Sequence, residues 1–166
     1  MPNIAELANQ LKTVRKYSEN FLDNTDVEDW FRMPSEGVTH IAWQVGHMAI
    51  AEYGLALKRV RGRIAEDAGL VSDEFLALFG KGSIPDADAG KYPPAAEIRG
   101  VFDRVHQQAI QELQSLSEEV LDEASDPPHP MFNTKRGAIE WAAQHELLHA
   151  GQIGLLRRLL GKEWLR

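Results

Sequence analysis

The chain has 166 residues, 43% of them hydrophobic, and carries 25 acidic against 18 basic side chains for a net charge of −7. That length suits a single domain over 1–166 with a proper core, and the acidic balance argues against a nucleic-acid binder or a partner of anionic membranes. Cysteine is absent, which excludes disulfides, thiolate metal sites and a catalytic cysteine.

The N-terminus, Met-Pro-Asn-Ile-Ala-Glu, lacks the charged and apolar regions of a signal peptide. The longest uncharged stretch, Gly37 to Ala51, is too short for a membrane span and contains His40, Gln44 and His47. A soluble cytoplasmic protein is expected.

Four long helical patterns follow in chain order. In the first, from about Ile4 to Leu22, Ile4, Leu7, Leu11, Val14 and Phe21 recur every three or four residues. Asn3 and Glu6 form a capping-box pair at its start. Trp30, Phe31 and Met33 then sit in a loop expected to cover one end of the core. The second pattern runs from about Val38 to Arg61, with Gly62 as its C-cap. It is apolar on most sides, so it is either central or covered by a second subunit. Residues 62–94 form a long connection, with a short capped helix after Ser72 and a Gly-, Pro- and Asp-rich loop from Gly80 to Pro94. A connection of this length is expected to cross the bundle end or act as a lid, with Arg63 to Pro94 shaping a pocket. Tyr92 could give that pocket an apolar wall, while Phe75 and Phe79 suit core packing better.

The third pattern starts at Pro94, a good first-turn residue, and continues to about Leu116 through Ile98, Val101, Phe102, Val105, Ala109 and Leu113. Ser117 to Asn133 reads as a polar link. The fourth helix spans roughly Thr134 to Leu160, with Gly161 ending it. No alternating pattern marks a strand. The expected fold is therefore all-α: a four-helix bundle with a long connection between helices 2 and 3.

The fourth pattern holds the strongest chemical signal. His145 and His149 are four residues apart, about 40° around a helix and about 6 Å along it, so two imidazoles can grip one ion. The apolar stripe through them, Ala138, Trp141, Ala142, His145, Leu148, His149, Gln152, Leu155, Leu156 and Leu159, is the face a helix normally turns to the core. Buried imidazoles need partners, because an unsatisfied polar group costs about 1–3 kcal/mol. A metal is one partner; a carboxylate, a carbonyl or a water is the other possibility. His47, mid-way along the second helix, is the natural third ligand. By itself such a residue is more often a hydrogen-bonded core histidine, but with the pair it completes a three-histidine set with one open position. His40 lies two turns away and reads as a surface or cap residue. His106 flanks the third stripe, and His129 reads as a loop residue. Gln152 could orient a ligand histidine, or be a helix-contact amide. Gly151 and Gly154 suggest close packing of another helix.

His145-Glu-Leu-Leu-His149 also matches H-E-x-x-H, in which Glu146 would be the general base of a zinc metalloprotease. Only 17 residues follow His149, too few to return a third ligand, and no strand is evident to hold an extended peptide. A different likeness covers nearly the whole chain. His-Ile-Ala-Trp-Gln-Val-Gly-His47-Met-Ala, with Glu52 beyond it, and His145-Glu-Leu-Leu-His149-Ala-Gly-Gln-Ile-Gly-Leu-Leu-Arg-Arg-Leu-Leu-Gly161 resemble the second and last helices of the DinB/YfiT-like family. The resemblance implies a four-helix bundle, often a homodimer, with one divalent metal on the positions of His47, His145 and His149. It also implies relatives that are transferases or isomerases using low-molecular-weight thiols such as mycothiol or bacillithiol.

Three neutral imidazoles suit Zn²⁺, Ni²⁺ or Fe²⁺. With no thiol in the chain, a thiolate would have to arrive as cosubstrate. The leading expectation is a thiol-dependent S-transferase acting on a small-molecule substrate. Gln152 and Glu146 are the other candidate site residues. A metal-dependent hydrolase that activates water, or a bundle that binds metal without catalysis, are the alternatives.

Overall fold

The computed structural model describes residues 1–165 and is mostly helical. Helix α1 spans Ile4–Asp23. Its capping box is formed in both directions: Glu6 N–H donates to Asn3 Oδ1 at 2.9 Å, and Asn3 N–H to Glu6 Oε2 at 2.8 Å. A 3₁₀ turn at Val27–Asp29 then places Trp30 in the core, as expected of that loop, and Trp30 C=O accepts from Ala42 N–H at 2.8 Å.

Helix α2 covers Ile41–Glu52, three residues later than its apolar pattern suggests. The cause is His40, whose extended backbone ends the loop and whose Nδ1 accepts from Trp43 N–H at 3.1 Å. That is the cap role expected of it, but His40 is fully buried and not at the surface. Beyond Glu52 the helix widens into a π-helical segment, Tyr53–Lys58, and closes with a last turn, α3, Arg59–Arg61. Gly62 ends it at φ +82°, a conformation that favours glycine. Periodicity alone did not reveal the π-helical turn, a feature often found beside functional sites.

The connection contains α4, Asp67–Leu70, and α5, Asp73–Phe79, the latter capped by Ser72 Oγ on Phe75 N–H at 3.2 Å. A 3₁₀ turn, Ala89–Lys91, precedes α6, Ala95–Leu113. The link after α6 is not featureless. It holds α7, Glu118–Asp122, and an antiparallel hairpin of β1, Ala124–His129, and β2, Phe132–Thr134, pairing Ala124 with Thr134 and His129 with Phe132. The expectation of no strand is corrected here: β1 reads Ala-Ser-Asp-Pro-Pro-His, and without alternating apolar residues it leaves no strand signal. Helix α8, Lys135–Leu159, completes the chain, capped by Thr134 Oγ1 on Gly137 N–H at 3.1 Å.

Helix α1 packs on α8 and α6, and α2 packs on α6, α8 and α5. Ile41, Ala42, Val45, Met48 and Ala49 of α2 are all at most 1% exposed, so the apolar girth of α2 reflects a central position within the chain. A group of exposed apolar side chains lies on α8, where Leu147, Leu148, Leu155 and Leu159 are about half exposed or more.

The buried face of α8 is rotated from the expected one. Ile139, Ala142, Ala143, Glu146, Ala150, Ile153 and Arg157 are buried, while Leu148, Gln152, Leu155 and Leu159 are exposed. At about 100° per residue, this face is centred about 100° from the stripe drawn through the histidines. Its centre is Glu146, not His145 or His149. The carboxylate can sit there because Arg15 of α1 donates to both its oxygens at 3.0 and 3.1 Å, and Ser18 Oγ donates at 2.8 Å. The same guanidinium reaches Glu52 of α2 at 2.7 Å and Phe102 C=O of α6 at 2.9 Å, and lies over the Phe102 ring at 3.3 Å. His106 of α6 bonds the other Glu52 oxygen at 2.8 Å. One buried arginine thus ties all four long helices together.

Gly154 makes close packing possible, as expected: a Cβ there would lie 3.2 Å from the Phe21 ring. Gly151 faces open space instead. Among the described residues, no helix is long and apolar enough to cross a membrane.

Candidate metal centre

His47 on α2 and His145 and His149 on α8 come together where the two helices face each other, at the flank of the buried face. All three are half-buried, and one ligand atom from each lies within 4.8 Å of the others. Ring centroids are 5.3 Å apart for His47 and His145, 4.8 Å for His47 and His149, and 4.5 Å for His145 and His149. Nitrogens around one tetrahedral ion, each at about 2.1 Å, stand about 3.4 Å apart, so small ring rotations bring the set to bonding distance.

Two neighbours fix which nitrogen each ring offers. A carbonyl oxygen can only accept, so Phe79 C=O, 2.8 Å from His47 Nδ1, places the proton there and leaves Nε2 free. Gln44 Oε1 does the same at His149 Nδ1. The Gln44 amide is itself oriented, since its Nε2 donates to Thr39 Oγ1 at 3.2 Å. Such outer partners hold metal-binding imidazoles in the right tautomer. Phe79 comes this close because position 46 is glycine; a Cβ there would lie 2.4 Å from the Phe79 ring. Trp43 stacks on His47 with centroids 4.8 Å apart and planes 7° from parallel, and its indole N–H is held by Ser83 Oγ at 3.0 Å.

Electrostatics favour the neutral ligands a cation needs. Burial, then the neighbouring His47, lowers His145 to about 4. Burial, then His145 and His47, lowers His149 to about 3. The residues present fit a divalent ion: three imidazole nitrogens, two with assigned tautomers, and space on one side.

That space is a cleft of about 760 Å³ that includes His47 and His145 in its wall. It follows one face of α2 through Ile50, Ala51, Gly54 and Leu55, and is closed on the other side by Trp141 and by His129 and Pro127 of the hairpin. His129 stacks on Phe132 with centroids 4.3 Å apart, so it is a cleft wall and not a plain loop residue. Of the long connection, Arg63 and Lys81 reach the cleft. Tyr92 instead packs against Phe79, His40 and Phe31, and both Phe75 and Phe79 are buried in the core.

A profile of the DinB superfamily matches residues 10–153. The chain belongs to that superfamily. No curated protein matches it. A crystal structure of a conserved protein from Enterococcus faecalis, 17% identical, aligns over 98% of this chain and 99% of its own with a TM-score of 0.65. At that identity the likeness speaks for the fold alone. Membership and the three-histidine cluster together fit a metal-binding protein.

Within this DinB-superfamily chain, the other candidate residues stand elsewhere. Glu146 is 4% exposed and its oxygens accept from Arg15 and Ser18. Gln152 is exposed, and the amide that orients a histidine is Gln44. His106 joins Glu52 in the buried network. Sequence reasoning missed Gln44, the Phe79 carbonyl and Trp43. A usable signal was present for two of them: Gln44 precedes His47 by one helical turn, and Gly46 marks a close approach beside it.

Proposed function

We propose that the protein is a divalent-metal-dependent enzyme acting on a small molecule, with His47, His145 and His149 as ligands, and that it is a thiol-dependent S-transferase. The observation that carries this reading is the convergence of three imidazoles at the wall of a cleft of about 760 Å³. A bound ion there supplies Lewis acidity, which lowers the pKa of a coordinated thiol or water. The chain's own part is to hold the site ready. Phe79 and Gln44 keep the Nδ1 protons of His47 and His149 in place, and the Trp43 ring fixes the plane of His47. Since the chain has no cysteine, the sulfur has to be a cosubstrate's. The open cleft weighs against a closed, purely structural site. The engagement of Glu146 by Arg15 weighs against an H-E-x-x-H protease.

The same reading places the site in a cytoplasmic four-helix bundle that pairs as a homodimer, through the exposed Leu148, Leu155 and Leu159 of α8. A strictly monomeric mass by light scattering at micromolar concentration would remove the dimer.

The test of the chemistry is to titrate mycothiol, bacillithiol, glutathione and coenzyme A into Co²⁺-substituted protein. A sulfur-to-metal absorption band that requires all three histidines is expected. If no thiol changes the spectrum and no electrophile is consumed, the transferase reading fails.

A further inference from the structure

The charges around the cleft run against those of the whole chain. The protein carries −7 overall, yet the charged side chains in the cleft wall are Lys58, Arg59, Arg63, Lys81 and a single carboxylate, Asp126. Arg63 is neutralised by Asp73 at 2.6 Å. Lys58 and Lys81 have no ion pair among the described residues.

Arg59 is held without a countercharge. Its guanidinium donates to Ser125 Oγ at 3.2 Å and to Pro127 C=O, and faces the Phe132 ring at 5.2 Å. All these partners are neutral and belong to the hairpin. The last turn, α3, and the hairpin therefore position a cation that makes no ion pair among the described residues. His129 reports the same field: burial, and then the charges of Arg59 and Lys81, hold its imidazole below the usual value.

Lys58 and Arg59 stand at the far end of the cleft from the metal ligands, whereas Lys81 lies two residues after Phe79, whose carbonyl bonds His47. Positions 47, 50, 51, 54, 55 and 58 all line the cleft and recur every three or four residues, so it follows one face of the helix. Lys58 is eleven positions beyond His47, which at the helical rise corresponds to about 16 Å along the axis. Ile50, Ala51, Gly54 and Leu55 lie between and offer little polarity. A cleft with walls of one sign concentrates ligands of the other.

We infer that the molecule bound in this cleft is elongated and carries an oxyanion, carboxylate or phosphate, at the end remote from the histidines, where Lys58 and Arg59 receive it. The inference rests on the cleft being the substrate site, and it names the substrate class. The metal end takes the reacting atom, the apolar stretch takes a spacer, and the cationic end sets orientation and selectivity.

The experiment uses three probes of equal length on Co²⁺-loaded protein: ω-mercaptoundecanoate, ω-mercaptoundecylphosphonate and neutral ω-mercaptoundecanol. Calorimetry gives the affinity of each, and the cobalt spectrum shows whether sulfur reaches the metal. Binding of at least one anionic probe about fivefold or more tighter than the alcohol is expected. That ratio should fall with added salt, fall in a Lys58→Gln protein, whose changed side chain is exposed, and approach one when Arg59→Gln is added. The better anionic arm identifies carboxylate or phosphate. Equal affinity for all three probes, no binding of any, or a ratio that persists in the Lys58→Gln/Arg59→Gln protein overturns the inference. An anion preference that vanishes in the variants while the cobalt spectrum never changes supports the anionic end and rejects the thiol reading, so the two failures are distinct.

Discussion

Residues 145 and 146 are neighbours on one helix and belong to opposite kinds of site. Glu146 lies at the centre of the buried face of α8, with its oxygens satisfied by Arg15 and Ser18. His145 lies about 100° around the helix, half-buried, beside His47 and His149 and open to the cleft. The first site is saturated: Arg15 also holds Glu52 and the Phe102 carbonyl, and His106 completes Glu52. In the second, the bonds from Phe79 and Gln44 leave one nitrogen of His47 and one of His149 without an assigned bond. The contrast teaches how to read polar residues within a helical pattern. On α8 the fully partnered polar group occupies the centre of the core face, whereas the groups that keep bonding capacity stand at its edge.

The largest expected effect comes from breaking the saturated site. Arg15→Met leaves two buried carboxylates without their cation, and removing one partner of a buried pair typically costs about 3–5 kcal/mol. Denaturant unfolding should show a loss of that order. Glu146→Gln is the sharper version. It should lower stability while folded protein keeps its full metal content, since the side chain faces away from the histidines. A Glu146→Gln protein of normal stability that cannot bind metal would place Glu146 with the wrong site.

The second effect breaks the open site. Alanine at His47, His145 or His149 should each remove most of the bound metal on elemental analysis, because a three-ligand site tolerates little loss. His40→Ala and His129→Ala should leave metal content unchanged. Stoichiometric metal in the His47 variant would sink the ligand set. Gln44→Leu tests the next layer. Loss of an outer-shell bond to a ligand histidine typically costs about 10–100-fold in metal affinity, so competition with a chelator should show weaker binding in that range at unchanged stoichiometry. An unaltered affinity would mean that His149 needs no orienting partner.

The distinction between the sites also marks how far the sequence could be read. The four long helices, the Asn3–Glu6 box, the Ser72 cap and the Gly62 stop were legible, because periodicity and capping are local properties. The three histidines were legible through their spacing and the family likeness. The orientation of α8 was not. Leu148, Leu155 and Leu159 are apolar and exposed, whereas Glu146 and Arg157 are charged and buried, so a stripe drawn by polarity alone points about 100° away from the core. Only the partner on α1, more than a hundred residues distant, makes Glu146 a core residue. The hairpin escaped for a related reason. Its strands are defined by pairing across a turn, and Asp126-Pro127-Pro128 carries no apolar alternation. The cationic wall of the cleft escaped as well, since Arg59, Lys81 and the hairpin meet only in three dimensions.

The smallest expected effect concerns pH. In the unfolded chain an imidazole titrates near 6.5, while in the folded metal-free protein burial and neighbouring imidazoles hold His145 at about 4 and His149 at about 3. Between those limits the unfolded state takes up protons that the folded state refuses, so stability falls as pH drops from 6.5 toward 4 and is independent of these two groups above 6.5. The saturated site is divided: burial raises Glu146, whose contribution to stability is lost as pH rises above its unfolded value, whereas Glu52 answers in a more acidic window. Burial alone would raise Glu52, but Arg15 and His106 prevail and hold it below its usual value; its contribution is present above about 4.5 and is lost as pH falls through its depressed folded value. Thermal melts of metal-free protein across pH 3 to 8 should therefore show two descending limbs. A His145→Ala/His149→Ala protein should reduce the limb between 6.5 and 4 to the part contributed by His40, which burial lowers to about 4, and leave the more acidic one in place. Excess Zn²⁺ at neutral pH should raise the midpoint of the parent but not of that variant, because a ligand that binds only the folded state stabilises it. If the double variant keeps the upper limb undiminished, the open site is not what titrates there, and the division between the two faces of α8 has to be redrawn.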